Sequence, residues 1–140
     1  LRNLFPSVPG YIAEDALSEI SKVSIQAKMF GVKDPGLFHI ENTVKGEDIF
    51  QIGPFRIKPF ATPGHCSGSL SFLIDGKLFS GDALFRETVG RTDLPGGSMS
   101  ILRKSIEKKL FTLPDETIVF PGHGEETTIG HEKRYNPFFS

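Results

Sequence analysis

The sequence predicts an α/β fold, because segments with helical periodicity and segments with strand periodicity occur along the same chain. Between residues 14 and 30, apolar side chains recur every three to four positions, as on one face of a helix. From residue 48 onward, apolar and polar side chains alternate, as in half-buried strands. The chain has 140 residues, the length of one ordinary domain, so we expect residues 1–140 to form a single domain.

The first third of the chain is predicted to contain one short strand and one helix. The segment VPGYI at 8–12 is β-like, and the helix is predicted over 14–30. Gly31 follows as a helix end, because glycine adopts the left-handed conformation at little cost. Residues 32–47 contain an Asp-Pro-Gly turn and no clear periodicity, so we expect a connecting loop there.

Strand patterns dominate the middle of the chain. The predicted strands are IFQI (49–52), FRIKPFAT (55–62), SLSFLI (69–74) and KLFSGDALF (77–85). Pro59 has no N–H to donate, so its strand is an edge strand, is bulged, or points that position outward. Asp75 and Gly76 separate the last two strands and predict a hairpin with a type I′ turn.

The last third returns to helical patterns around one strand. Residues 86–97 are rich in Gly and Thr and are predicted to be a loop. Ser98 or Ser100 then caps a helix with apolar positions at Met99, Leu102, Ile106 and Leu110. TIVF (117–120) is a short buried strand, and the turn at 121–128 leads into a short helix that ends near Asn136-Pro137.

Composition and charge exclude several classes of partner. The net charge is −1, with 16 basic and 17 acidic side chains, so no bulk field attracts nucleic acid or an anionic membrane. No apolar run approaches the roughly 20 residues that span a bilayer, and no leader-like segment is recognisable. The single cysteine excludes an internal disulfide and fits a reducing compartment. We therefore expect a soluble, cytoplasmic protein.

Three strand-end turns each carry one side chain of a type that binds metals. These are Thr-Pro-Gly followed by His65, Ser-Gly followed by Asp82, and Pro-Gly followed by His123. Each side chain leaves a predicted strand directly after a glycine, and strand ends hold their side chains in fixed directions. If the three ends lie side by side, two imidazoles and a carboxylate could surround one point. Such donors suit Zn²⁺, and also Fe²⁺ or Mn²⁺.

The motifs TPGHCSGS, LFSGDALF, VGRTDLPGGS and LPDETIVFPGHGEETTIGHEKRYNPF resemble the metallo-β-lactamase-fold hydrolases. Within them, the chain is most similar to the glyoxalase II-like, or hydroxyacylglutathione hydrolase-like, subgroup. The resemblance implies an αββα sandwich with a dinuclear metal site at its edge. Carried over residue by residue, it implies that His65 binds the first metal, Asp82 bridges both metals and His123 binds the second.

One family motif is absent from the chain. The resemblance implies a His-x-His-x-Asp-His motif upstream, and the remaining histidines, His39 and His131, are isolated and unlike it. The chain thus resembles the C-terminal two-thirds of a family member, an αββα sandwich that lacks its N-terminal part. We expect it to pair with that missing segment or with another subunit, because strand edges and apolar faces would otherwise be exposed.

The resemblance implies hydrolysis of a small thioester or ester by a metal-bound hydroxide. A metal lowers the pKa of water from about 15.7 toward 7, which provides a nucleophile at neutral pH. Asp82 would be the catalytic residue, as the bridging carboxylate. Two alternatives remain open: a non-catalytic fragment or remnant binding domain that lost the first metal motif, and a persulfide dioxygenase of the same fold with a single iron.

Two further residue pairs could also have functional roles. Cys66 follows His65, but adjacent residues in an extended segment point in opposite directions, so a Cys-His catalytic dyad is disfavoured. Arg91 and Asp93 resemble part of a loop of the subgroup. We expect them to hydrogen-bond to each other and to shape this loop, in preference to contacting a substrate.

Overall fold

The computed structural model describes residues 7–36 and 40–139, which divide into two compact units at residues 44 and 45. The first unit contains β1 (Tyr11–Ala13), α1 (Leu17–Ile20), α2 (Val23–Met29) and β2 (Asn42–Val44). The second contains β3 (Phe50–Ile52), β4 (Phe55–Ala61), β5 (Leu70–Ile74), β6 (Lys77–Gly81), β7 (Leu84–Phe85), β8 (Thr88–Val89), α3 (Met99–Ser105), β9 (Ile118–Pro121), β10 (Thr127–Thr128) and α4 (Ile129–Tyr135). The expectation of a single domain over 1–140 stays a prediction.

The helix predicted over 14–30 is broken into three pieces. A 3₁₀ turn at Glu14–Ala16 leads into α1, and α2 begins after a turn. At the break, the Ser21 hydroxyl donates to the Ser18 carbonyl at 3.0 Å, and serine side chains of this kind compete with the helical backbone. The predicted end at Gly31 is confirmed: its φ is 64°, and its N–H donates to the Lys28 carbonyl, as in a Schellman motif.

The second unit is built on a six-stranded mixed sheet. Its strand order is β10-β9-β6-β5-β4-β3, and β6 and β9 are its one parallel pair among the described strands. Strands β3 to β6 form an antiparallel meander. Because β6 and β9 are parallel neighbours, their carboxyl ends meet at one edge of the sheet. Asp82 directly follows β6 and His123 lies two residues after β9, so this edge collects both side chains.

Two turn predictions in the meander can be compared with the structure. Asp75 and Gly76 have φ values of 47° and 73°, and both positive values fit the predicted type I′ turn. Pro59 is buried in β4, opposite Phe72 of β5. Because β3 pairs only with residues 55–57, Pro59 lies beyond the end of β3, where no described strand requires its N–H.

Helices α3 and α4 cover one face of the sheet. Ser98 caps α3, as predicted, and the helix continues as a π-helical turn over Ile106–Leu110. Of the four apolar positions predicted for this helix, Leu102, Ile106 and Leu110 are buried, whereas Met99 is exposed. The core cluster joins helix and sheet side chains: Phe60, Leu78, Ala83, Leu84, Val89, Leu102, Ile106, Leu110, Val119 and Ile129.

Three short elements were not predicted. Strand β2 lies in the loop predicted over 32–47 and pairs in parallel with β1. Residues 84–89 form a second hairpin, β7–β8, with Arg86 and Glu87 as its two-residue loop. Strand β10 lies in the predicted turn at 121–128 and pairs with β9. Among the described helices, none has the length and apolar character needed to cross a membrane.

Candidate metal centre

His65 lies in a turn that is docked against α3. The Ser98 N–H donates to the Gly64 carbonyl at 2.7 Å, and the Ser105 hydroxyl donates to the Pro63 carbonyl at 2.9 Å. Gly64 has a φ of 134°, and a β-carbon at this position would overlap the backbone of Leu102. Glycine is therefore required here for both conformation and space. These contacts fix the backbone from which the His65 side chain leaves.

The two ring nitrogens of His65 have different environments. Its Nδ1 lies 2.8 Å from the Arg91 carbonyl oxygen. A carbonyl only accepts, so Nδ1 must carry the proton of this hydrogen bond. In the neutral imidazole, Nε2 is then an acceptor, and it lies 3.7 Å from Asp82 Oδ2. An imidazole oriented by a backbone carbonyl in this way is a typical arrangement of metal-binding histidines.

Asp82 follows β6 and lies between the two histidines. Its Oδ2 faces His65, whereas its Oδ1 lies 3.4 Å from Nδ1 of His123. The Gly122 N–H donates to the Gly81 carbonyl at 2.9 Å, and a β-carbon on Gly122 would overlap Asp82 Oδ1. The absence of a side chain at Gly122 thus leaves room for the carboxylate, whose side chain is 41% exposed.

His123 is the most accessible of the three side chains. Its side chain is 75% exposed, against 21% for His65. The Phe85 ring of the β7–β8 hairpin lies against its imidazole, with ring centroids 4.8 Å apart. The structure therefore brings all three predicted residues to one edge of the sheet, with Asp82 in the middle.

The three side chains form two donor pairs that share Asp82. Imidazole nitrogen and carboxylate oxygen are donors that Zn²⁺, Fe²⁺ and Mn²⁺ accept. Within residues 7–36 and 40–139, however, no three His, Cys, Asp or Glu side chains are arranged to hold one metal ion. The donors' chemistry thus fits a metal, while a single ion held by all three side chains is not supported. The metal-binding roles of His65, Asp82 and His123 stay predictions.

The three side chains open into a cavity of about 460 Å³. The β7–β8 hairpin forms one wall through Phe85, Arg86, Thr88 and Val89. Arg86 and Glu125 both line the cavity, and the Arg86 guanidinium lies 3.5 Å from the Glu125 carboxylate. The cavity thus combines apolar side chains with polar and charged groups, as is common for small-molecule sites.

The expected bond between Arg91 and Asp93 is confirmed. Arg91 Nε and Nη2 donate to the two Asp93 carboxylate oxygens at 2.8 and 2.7 Å. This guanidinium lowers the pKa of Asp93 to about 2. Since the Arg91 carbonyl also accepts from His65, the ion pair helps to shape the loop that orients this histidine.

The other reactive side chains have partners of their own. The Cys66 sulfur lies 3.0 Å from the Ser69 hydroxyl, whereas the His65 ring nitrogens face Arg91 and Asp82, so the geometry gives no support to a Cys-His dyad. His131 Nε2 lies 2.9 Å from the Glu87 carboxylate. His39 lies outside the described residues.

A sequence profile of the Metallo-beta-lactamase superfamily matches residues 1–123. The chain belongs to the metallo-β-lactamase superfamily. Two solved structures of similar fold support this. The B3 metallo-β-lactamase BLEG-1 shares 36% identity at a TM-score of 0.87, covering 99% of this chain and 68% of that one. TTHA1623, solved in a di-iron-bound form, shares 34% identity at 0.82, covering 98% and 67%. The predicted metallo-β-lactamase fold is confirmed.

Some relatives in sequence carry names that describe an activity. A probable metallo-hydrolase of Streptococcus pyogenes is 40% identical over 99% of this chain and 62% of its own length. The hydroxyacylglutathione hydrolase GloC of Haemophilus influenzae is 39% identical over 82% of this chain and 56% of its own length. This metallo-β-lactamase superfamily chain thus spans roughly three-fifths of these relatives.

Sequence reasoning missed a chain of buried hydroxyls behind the site. Thr62 Oγ1 lies 3.0 Å from Ser71 Oγ, and Ser71 Oγ donates to the Ser80 carbonyl at 3.2 Å. The Ser80 hydroxyl donates in turn to the Leu84 carbonyl at 2.7 Å. This chain crosses β4, β5 and β6 and ties together the strand ends that precede His65 and Asp82. The sequence signal that could have revealed this chain is a serine or threonine near one end of each strand, where an apolar residue would be expected.

Proposed function

We propose that the protein hydrolyses a small thioester with a divalent metal, in the manner of the glyoxalase II-like hydrolases. The observation that carries the proposal is the Asp82 carboxylate, whose two oxygens face different imidazoles at 3.7 and 3.4 Å. The relative named hydroxyacylglutathione hydrolase supports the substrate class, and the probable metallo-hydrolase supports hydrolysis. Because the chain spans part of these relatives, the proposal concerns the whole protein.

The chain's own residues would hold two neighbouring metal ions that share Asp82. His65 with Asp82 would serve one ion, and His123 with Asp82 the other, each completed by ligands beyond the three named here. When bound, the metal would acidify a water molecule and polarise the thioester carbonyl. The Arg91 carbonyl keeps the His65 Nδ1 protonated, and so holds Nε2 as a donor to the metal. Phe85 and Val89 shield the acyl group from water on the hairpin side.

Metal analysis combined with a thioester hydrolysis assay tests this proposal. Asp82→Ala is expected to lose metal and to lower kcat/KM at least about a hundredfold, since both metals lose their shared ligand. Asp48→Ala is the matched control, because Asp48 is an exposed aspartate that caps a turn through the Lys45 N–H. Equal metal content and activity in Asp82→Ala and Asp48→Ala would remove the proposed site.

We propose zinc as the metal, with iron or manganese as measurable outcomes of the same analysis. The di-iron-bound form of TTHA1623 makes iron the first competitor. Oxygen uptake with a persulfide substrate, and none of the thioester hydrolysis, would favour the iron dioxygenase alternative. A protein that binds no metal at all would favour the non-catalytic alternative.

We further propose a cytoplasmic location and a partner for the outer face of the sheet. Cys66, the single cysteine, is a free thiol, which suits a reducing compartment.

On the outer face, Phe79 is 42% exposed and stacks on Phe120, and Ile118 is also exposed. An apolar sheet face of this kind is covered in stable folds, here by the segment with the missing histidine motif or by a second subunit. A stable, metal-free monomer in light scattering would count against this.

A further inference from the structure

A buried carboxylate on α4 binds the loop of the β7–β8 hairpin. Glu132 has no exposed surface. Its Oε2 accepts from the Glu87 backbone N–H at 2.9 Å and from Asn136 Nδ2 at 2.7 Å. Its Oε1 accepts from the Thr127 hydroxyl at 2.6 Å. A buried carboxylate requires such donors, because its desolvation is otherwise costly. One of the three donors is the backbone of the hairpin loop.

Asn136 binds the same hairpin one residue further along. Its Nδ2 also donates to the Thr88 carbonyl at 3.1 Å, and Asn136 is almost completely buried. Together, Glu132 accepts from the N–H of Glu87 and Asn136 donates to the carbonyl of the next residue. This pair, which we call the α4 latch, therefore bonds the N–H and the carbonyl group that lie on either side of the Glu87–Thr88 peptide bond.

The hairpin loop needs an external restraint of this kind. Glu87 has a φ of 56°, in the left-handed region that costs a non-glycine residue of the order of 1 kcal/mol. Two-residue hairpin loops normally use Asn, Asp or Gly at such positions, and this loop is Arg86-Glu87. Local sequence thus disfavours the observed loop conformation, and the bonds from α4 stabilise it.

The hairpin is also the wall of the candidate site. Phe85 packs against the His123 imidazole, and Arg86, Thr88 and Val89 line the same cavity. None of the described contacts of Glu132 is with His65, Asp82 or His123. The latch can therefore act on the site only through the hairpin.

We infer that Glu132 and Asn136 are positioning residues that hold the β7–β8 hairpin as the substrate-binding wall. This inference rests on the proposed function for its kinetic part. Loss of the latch is expected to loosen the wall, and so to weaken substrate binding more than turnover. His65 and Asp82, which are held by the sheet and α3, keep their positions.

Hydrogen exchange and steady-state kinetics on the whole protein test the inference. In Glu132→Gln, the amide group cannot accept from all three donors, and in Asn136→Ala the bond to Thr88 is lost. The matched control is Thr127→Val, which removes a bond to the same carboxylate but leaves the hairpin bonds in place. The backbone amide hydrogens of residues 84–89 are expected to exchange about tenfold faster in Glu132→Gln and Asn136→Ala than in the wild type. In Thr127→Val, their exchange rates are expected to stay within about twofold of the wild type.

The kinetic expectation is a rise in KM of about fivefold for both latch variants, with kcat within about twofold of wild type. Equal exchange and equal KM in Glu132→Gln and Thr127→Val would overturn the inference, since Glu132 would then only anchor α4. If the wild type hydrolyses no thioester, the proposed function fails, and the exchange comparison alone decides the latch.

Discussion

Replacing Gly122 by alanine tests the position of Asp82 without removing its carboxylate. Gly122 follows β9, and a β-carbon there would overlap Asp82 Oδ1. The φ of Gly122 is not in the left-handed region, so alanine adds no strain of that kind, and its β-carbon would lie 3.3 Å from the Gly81 carbonyl carbon, a contact that a small backbone shift relieves. The carboxylate is the free end of a 41% exposed side chain, so it can swing aside. Gly122→Ala should therefore disturb the site and leave the fold intact.

The size of the effect follows from the required movement. Restoring ordinary van der Waals contact displaces the carboxylate by roughly 1 Å, and misplacement of about 1 Å at a reacting centre can cost on the order of a hundredfold in rate. The distances from Asp82 to the two imidazoles, 3.7 and 3.4 Å, change by a comparable amount. We expect kcat/KM for a thioester to fall about a hundredfold, with a shift in melting temperature of only a few degrees.

Gly53→Ala is the matched control for this prediction. Gly53 has a φ of 56° and open space around its α-carbon, so alanine strains the backbone without touching the site. It should lower the free energy of unfolding by about 1 kcal/mol and leave activity and metal content unchanged. The comparison of the two variants thus distinguishes an effect on stability from an effect on activity. Wild-type metal content and activity in Gly122→Ala would refute the placement of Asp82 between the two histidines.

Three further predictions concern the surroundings of the site. Ser71→Ala leaves the buried Thr62 hydroxyl without its partner, and urea denaturation should show a loss of about 1–3 kcal/mol; a neutral result would contradict the hydroxyl chain. Asp93 has its pKa lowered from 3.8 to about 2 by Arg91. The ion pair should therefore contribute its full stability above about pH 4 and lose it as the pH falls through about 2. An NMR titration of Asp93 with a midpoint near 3.8 would contradict this. Gly76→Val forces a β-branched residue to a φ of 73°, and should cost about 1–2 kcal/mol in chemical denaturation; an unchanged midpoint would exclude the type I′ turn.

Sequence reasoning succeeded for elements whose cause is local. Asp75 and Gly76 determine their own turn, because both adopt positive φ readily. Ser98 and the apolar positions of α3 likewise lie within one short segment. The prediction of one continuous helix over 14–30 was wrong, because the spacing of apolar residues does not show that the Ser21 hydroxyl can replace a helical backbone hydrogen bond. The β7–β8 hairpin was missed because its loop conformation depends on Glu132, which lies 45 positions away.

The same distinction applies to the site. The strand-end turns drew attention to His65, Asp82 and His123, and the structure brings these three side chains together. What orients them could not be deduced from the turns. The His65 ring is oriented by the Arg91 carbonyl, 26 positions away, and the space for Asp82 depends on the absence of a side chain at Gly122. The second of these contacts follows from the strand order, which places β6 beside β9.

The two halves of the candidate site are held by different parts of the fold. His65 and Asp82 follow β4 and β6, which lie inside the sheet with partners on both sides, and buried hydroxyls connect the ends of these strands. His123 follows β9, which also has partners on both sides, but its side chain is far more exposed and is packed by Phe85 of the hairpin, which α4 holds through Glu132. Rigid strands suit His65 and Asp82, whose side chains must keep a fixed distance, whereas a hairpin fixed by a few hydrogen bonds can adjust to a substrate. A change on α4 should therefore alter which substrates bind, while the pairing of His65 with Asp82 remains as the sheet dictates.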